Sequence, residues 1–414
     1  SQTSATFTVG GADGTGTSFG TVEGAVNLTK LGTGGQNWLG NSSYTGVTTI
    51  GSTGLVTVDF LADIGQNSGI GRGDATTPAT NAGSLIFNGT TGGVVFAGSI
   101  RNGELVLGSR SASTNRLFTL AGTAAGSGAT LSSTASNNNA VVWSNTGDIV
   151  FGAGAAAQTL RLAGSSTGDN TFNPRLTDNG LNVSSLTKVD AGQWNLGNAN
   201  NAYTGLTTVG NGVLAVNATG ALPVGSPLVL GSTTTSGTLQ ASGVFARDLA
   251  ATAVAGTGTI TFGGTTGGGG FAAHTTPLTV TLSSNAALTW GAGGFVPSGA
   301  QLLLGSASAL SDVTFTNPIN FGGAKRTINV VDNGNTGADY ATLSGVLSGD
   351  AGIGFQKTGN TVLRTTGANT YTGVTDITSG ALVVTSLGLG GSGAATSSVG
   401  AAGAGVTMDD SNAV

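Results

Sequence analysis

The chain has 414 residues, a net charge of −5 and no cysteine; only 7% of its residues are charged, while 75 are glycine. That sparse charge excludes a phosphate-neutralising basic stripe, since the longest basic run is Lys325-Arg326, and it gives no polybasic patch for a lipid surface. The missing cysteines exclude disulfides and thiolate metal sites, and no apolar run approaches the ~20 residues that span a bilayer as a helix. A positive mean hydropathy with many short Val/Ile/Leu/Phe strings nevertheless argues for a folded chain.

Along the chain the local signal is β-strand. The strings SLIFNG (84–89), GELVLG (103–108), DIVFG (148–152), LVLG (228–231), TITFGG (259–264), LTVTL (278–282), DVTFTNPINFGG (312–323) and RTINVVD (326–332) follow one another, separated by Gly, Asn, Ser and Thr. Asn-Gly pairs at Asn88-Gly89, Asn102-Gly103, Asn179-Gly180, Asn211-Gly212 and Asn333-Gly334 mark tight turns, because both residues accept positive φ at low cost. No stretch carries apolar residues at helical spacing over three turns.

One phrase recurs: SSYTGVTTIGSTGLVTV (42–58), NAYTGLTTVGNGVLAV (201–216) and NTYTGVTDITSGALVV (369–384). Tyr44, Tyr203 and Tyr371 each follow a lysine, Lys30, Lys188 or Lys357, by 14 or 15 positions. Each Tyr is followed by a first glycine, Gly46, Gly205 or Gly373, and later by a second, Gly54, Gly212 or Gly380. Val56 and Val58, Leu214 and Val216, and Leu382 and Val384 then read as one buried strand face. A repeat of ~160 residues built from smaller strand-turn units predicts an all-β parallel solenoid rather than a closed barrel or sandwich. At 20 to 25 residues per coil, stacked ~4.8 Å apart, the chain would make about 17 to 20 coils. Stacked outward positions favour Thr and Ser, because like charges at that spacing repel. The expected organisation is one continuous solenoid over 1–414, with super-repeats near 28–185, 186–354 and 355–414.

The stretch SLTKVDAGQWNLGNANNAYTGLTTVGNGVLAV (185–216) closely resembles the autotransporter-associated β-strand repeat of bacterial cell-surface proteins, and 28–58 and 355–384 match the same pattern. The resemblance implies a right-handed parallel β-helix in an exported, surface-exposed passenger of adhesive or structural role, with no cofactor. A membrane-inserting translocator barrel, which such passengers carry after the repeats, is not expected within these 414 residues. SQTSATFTVGG and GVTMDDSNAV are expected to supply edge strands, so the partners expected are another solenoid end, a longer chain, or a glycan or cell surface.

The candidates for chemistry are few. His274 is the only histidine, and no nucleophile elbow accompanies it. Glycoside hydrolysis needs two placed carboxyls, yet the glutamates are only Glu23 and Glu104, and the aspartates are scattered save Asp409-Asp410. GGADGTGTS (10–18) resembles a calcium nonapeptide but occurs once, so Asp13 reads as a turn residue. Trp38, Trp143, Trp194 and Trp290 fit either a saccharide-stacking surface or core packing. The sequence therefore points to a non-enzymatic structural protein, a stalk or fibre subunit, with a carbohydrate-active enzyme or glycan-binding module as the alternative.

Overall fold

The computed structural model describes residues 5–18, 20–51, 53–96, 100–101, 104–105, 111–135, 138–387, 396–401 and 406–408. The chain forms two compact units, Ser1–Thr207 with Ala218–Ser226, and Thr208–Asn217 with Pro227–Val414.

In the first unit, apart from the small antiparallel pair of Ile100–Arg101 with Glu104–Leu105, strands adjacent in sequence do not pair. Ala5–Val9 bonds in parallel to Val26–Lys30, which bonds to Thr48–Gly51, then Leu85–Asn88, Thr119–Leu120 and Val150–Phe151. The strands between them build a second parallel sheet: Gly16–Ser18, Gln36–Trp38, Leu55–Val58, Gly93–Phe96, Ser127–Ser133, Gln158–Ala163 and Ser184–Lys188. A third sheet joins Ala112–Thr114, Val141–Trp143, Thr171–Phe172 and Gln193–Leu196. A chain that visits each sheet in turn and returns one strand further along is a parallel β-helix.

The second unit winds the same way. Gly212–Val216, Gly237–Arg247, Gly268–Leu282, Gln301–Gly305, Arg326–Val331, Phe355–Thr358, Thr375–Ile377 and Val406–Met408 pair in parallel order. A second face carries Val313–Phe315, Ala341–Leu343, Val362–Thr365 and Ala381–Val384. The strands Ala5–Val9 and Val406–Met408 each stand at the end of their sheet order among the described residues.

The period-2 pattern sets the core. In Thr48–Gly51 the inward Ile50 is fully buried; in Leu55–Val58 Val56 and Val58 are, while Leu55 and Thr57 are half-buried. Aromatic side chains pack edge to face along the first unit, with Phe118 5.3 Å from Phe87 and 5.7 Å from Trp143.

Two features depart from expectation. The coils are longer than 20 to 25 residues wherever a corner carries an insertion. Leu28 pairs with Thr48 and Ala341 with Leu363, but Thr48 pairs with Leu85 and Leu278 with Val313. The largest insertion in the first unit, 59–84, also holds a helix the sequence pattern did not predict, Pro78–Gly83. Six residues are too few to show a helical period. Its start is nonetheless encoded locally: Pro78 opens it, and Thr77 and Thr80 form a reciprocal capping box.

Candidate functional site

The repeated phrase folds into one corner geometry three times. Each repeat tyrosine is fully buried, and its phenol bonds the hydroxyl four residues on: Tyr44 to Thr48, Tyr203 to Thr207 and Tyr371 to Thr375, all at 2.7 Å. In the second copy the chain of hydroxyls continues from Thr207 to Ser226 (2.7 Å), and the Ser226 hydroxyl donates to Gly205 O (2.7 Å). In the first copy, Thr48 Oγ1 donates to Ile70 O of the following coil, 2.9 Å. The side chain two residues before each tyrosine reaches back one coil to accept a backbone N–H: Ser42 Oγ from Val22 (3.1 Å), Asn201 Oδ1 from Leu176 (2.9 Å) and Asn369 Oδ1 from Leu347 (2.8 Å). The two asparagines also reach forward, donating from Nδ2 to Ala221 O and Ser398 O at 2.9 Å each. One amide side chain thus ties three consecutive coils. These three residues lie inside the quoted phrase but were missed as a motif, because the position alternates between Ser and Asn.

The first glycine of each phrase is a close-approach position. A Cβ on Gly46 would fall on Val26 O, one on Gly205 on Ser184 O, and one on Gly373 on the Ile353–Gly354 peptide. In the first and third copies the second glycine meets the lysine. The ammonium of Lys30 donates to Leu31 O (2.5 Å) and Gly32 O (2.8 Å), that of Lys188 to Val189 O (2.5 Å) and Asp190 O (2.7 Å), and that of Lys357 to Gly359 O and Ser379 O. Gly54 and Gly380 lie directly against the Lys30 and Lys357 ammonium groups, where a Cβ would collide with Nζ. Gly212 and Gly380 also have φ of +70° and +66°, a region that an L-residue adopts only under strain. In the strand that follows, Leu214 is fully buried and Val216 half-buried, whereas Leu382 and Val384 are only half-buried.

The lysines carry a pH signature. Burial pushes Lys188 down to about 7 and Lys357 to about 8, against the opposing pull of Asp190 and Asp332; burial lowers Lys30 as well, opposed by Asp13. Burial raises Tyr44 and Tyr371 to about 12, opposed by the bonds from Thr48 and Thr375. Between pH ~7 and ~10.5 the unfolded chain holds lysine protons that the folded chain has released, so stability rises with pH across that window. Above pH ~10 the unfolded tyrosines ionise first, and stability falls again. Denaturation midpoints measured from pH 6 to 11 are therefore expected to rise to a maximum near pH 10 and fall beyond it. A flat profile would mean that the lysines titrate alike in the folded and unfolded chain.

The remaining candidates are packing residues or stand apart. Trp38, Trp143, Trp194 and Trp290 are at most 7% exposed, and Trp194 Nε1 donates to Ala163 O, 2.8 Å, so they are core rather than a saccharide platform. His274 is half-buried in the bend of Gly268–Leu282. Glu23 is exposed, and Asp13 Oδ1 accepts from Thr33 N at 2.6 Å. The Glu104 side chain, Asp409-Asp410 and the Asn102-Gly103 turn lie outside the described residues. Among the described residues no group of three His, Cys, Asp or Glu could hold a metal, and no helix is long and apolar enough to cross a membrane.

Sequence reading also missed Arg116. It is 1% exposed, and its guanidinium donates from Nε to Ala62 O (2.9 Å) and from Nη2 to Gly71 O (2.6 Å), Arg72 O (3.2 Å) and Gln66 O (3.3 Å). Asn115 and Asn81 add bonds between the same turn and the 59–84 insertion.

A solenoid held by recurring corners of Lys, Asn or Ser, Tyr and Gly defines a class of coil-stacking repeat protein. Comparison places that class: the family model of the passenger-associated-transport-repeat matches residues 186–216 and 355–384. The chain is 37% identical over 192 residues to the Adhesin BmaC autotransporter of Brucella suis biovar 1 (strain 1330). That stretch is 46% of this chain and 5% of the relative, so the chain spans a small part of the curated protein it matches. No solved structure matches. The stretches 186–216 and 355–384 are thus similar to the passenger-associated-transport-repeat, and the first of them holds the best-formed of the corners described above.

Proposed function

We propose that the chain is a non-enzymatic, load-carrying segment of a surface passenger, a β-helical stalk whose inserted corners contact other surfaces. The observation that carries this reading is the fate of the repeat's polar groups: the lysine ammonium, the Asn or Ser side chain and the tyrosine phenol are each bonded to neighbouring backbone or hydroxyls of the solenoid itself. We read the twelve repeat residues, from Lys30 to Gly380, as architecture for the same reason. The adhesive part of the proposal takes its support from the name of the relative and from the insertions that interrupt the repeat. Beads coated with the purified chain are expected to be retained on cultured animal cells above beads coated with an unrelated protein. Equal retention would end the adhesive reading.

A second reading is end-to-end addition, by a copy of this chain or by a further coil. Phe7 is in register with the buried Leu28 yet is 55% exposed, because Ala5–Val9 has no strand beyond it among the described residues. Such an edge is a template for another strand. Filaments in negative-stain images of the coating preparation support that reading, and separate particles at high concentration count against it.

A further inference from the structure

The insertion that breaks the regularity of the first unit carries the tripeptide Arg72-Gly73-Asp74. An arginine and an aspartate separated by glycine form a compact bipolar ligand: the guanidinium suits a carboxylate-lined pocket, and the carboxylate suits a hard divalent cation. The structure shows how this pair is held. Gly73 has φ +65°, and its N–H reaches Tyr44 O, 3.3 Å, alongside the Arg72 N–H at 2.7 Å. The glycine packs against Ile64, Ser84 and the Arg116 guanidinium, where a Cβ would collide with Ile64. Its backbone is therefore fixed to the repeat corner itself.

The flanking side chains face outward. Arg72 is exposed and donates from Nε to Gly65 O, 2.6 Å, one of the five donors a guanidinium carries. Asp74 is half-buried, with Oδ1 accepting from Thr76 N, 2.8 Å, and its own N–H donating to Ser84 Oγ, 3.0 Å. Those bonds orient the carboxylate before any partner arrives, which lowers the ordering cost of binding. The residues that follow, Ala75, Thr76, Thr77 and Pro78, rim an open cleft of about 830 Å³ that reaches Asn145 and Asp148. A partner surface has room to seat beside the pair.

We propose that Arg72 and Asp74 form a docking site for an animal cell-surface receptor that takes the arginine in an acidic pocket and the aspartate on a bound divalent cation. The proposal rests on the adhesive reading above and names its partner. In the repeat corners the charged groups point inward to backbone carbonyls; this pair sits at a corner insertion and points to solvent.

The test uses the whole chain immobilised as wild type, Asp74→Glu and Arg72→Lys, probed with a purified RGD-binding integrin ectodomain in Mn²⁺ and in EDTA. Binding in Mn²⁺, abolished by EDTA and reduced at least about tenfold in both variants, is the expected result; a bidentate arginine site does not accept lysine. Melting curves check that the variants keep the wild-type fold, and Arg72→Lys keeps the positive charge while leaving Arg116 to hold the loop. Failure of the wild type to bind the ectodomain, or equal binding by Asp74→Glu, overturns the proposal. Cell retention on the same surfaces separates the two levels. Cells held equally by wild type and Asp74→Glu sink this site and leave adhesion standing, whereas cells held by none sink both.

Discussion

Tyr203→Ala is expected to destabilise the first unit by about 3–5 kcal/mol, the usual cost of removing a buried aromatic ring. Tyr203 is fully buried, and its hydroxyl heads the chain through Thr207 and Ser226 to Gly205 O. Truncation opens a cavity beneath the corner and removes the phenol from the Thr207 hydroxyl. Tyr203→Phe keeps the ring and loses the hydrogen bond alone, so it is expected to cost only about 0.5–1.5 kcal/mol. Chemical denaturation of the three proteins separates the ring from the hydroxyl. Equal losses in the two variants would place the corner's stability in the hydrogen-bond chain instead of in packing.

Arg116→Met is expected to release the 59–84 insertion while leaving the coils folded. Methionine fills much of the buried volume but donates nothing, so the carbonyls of Ala62, Gln66, Gly71 and Arg72 lose the guanidinium together. Ala62 O keeps the Thr114 hydroxyl (2.8 Å), Arg72 O keeps the Gly65 N–H (2.9 Å) and Gln66 is exposed, so the main loss falls on the buried Gly71 O, where an unpaired carbonyl costs about 1–3 kcal/mol. The wild-type guanidinium keeps its charge at neutral pH, since burial lowers it only to about 10. Limited digestion with a broad-specificity protease should cut the variant within 59–84 at least about tenfold faster than wild type. Lysine at 116 should not rescue it, because a compact ammonium cannot span carbonyls that a planar fork reaches. Cleavage at the wild-type rate would mean that Asn115, Asn81 and the Pro78–Gly83 helix hold the insertion without the arginine.

What was legible in the sequence was whatever repeats. The Tyr-Thr-Gly turns, the preceding lysines and the alternating Val and Leu residues recur at fixed offsets, and offsets are what a stacked coil imposes. Trp38 and Trp194 lay between those landmarks, yet their burial became visible only when neighbouring coils closed over them. Arg116 was illegible for a physical reason: its partners are backbone carbonyls some 44 to 54 residues earlier, and a carbonyl leaves no trace in side-chain identity. The coil length was misjudged because turn residues punctuate insertions and corners alike. Thr48 and Leu85 are neighbours in the sheet although the 59–84 insertion lies between the coils that carry them. Thr77-Pro78 was a readable helix start, but the helix it opens ends before any periodicity can form.

The most direct test of the corner as a coil staple is amide hydrogen exchange at Leu176 and Leu347. Each N–H is donated to a side chain of the following coil, Asn201 or Asn369, at 2.9 and 2.8 Å. If those side chains hold successive coils together, both amides will exchange as slowly as the ladder amide of Leu186, which bonds Leu206 O at 2.9 Å. Exchange of Leu176 and Leu347 at unprotected rates, with Leu186 still protected, would show that the coils stack without the repeated asparagine and would contradict the account.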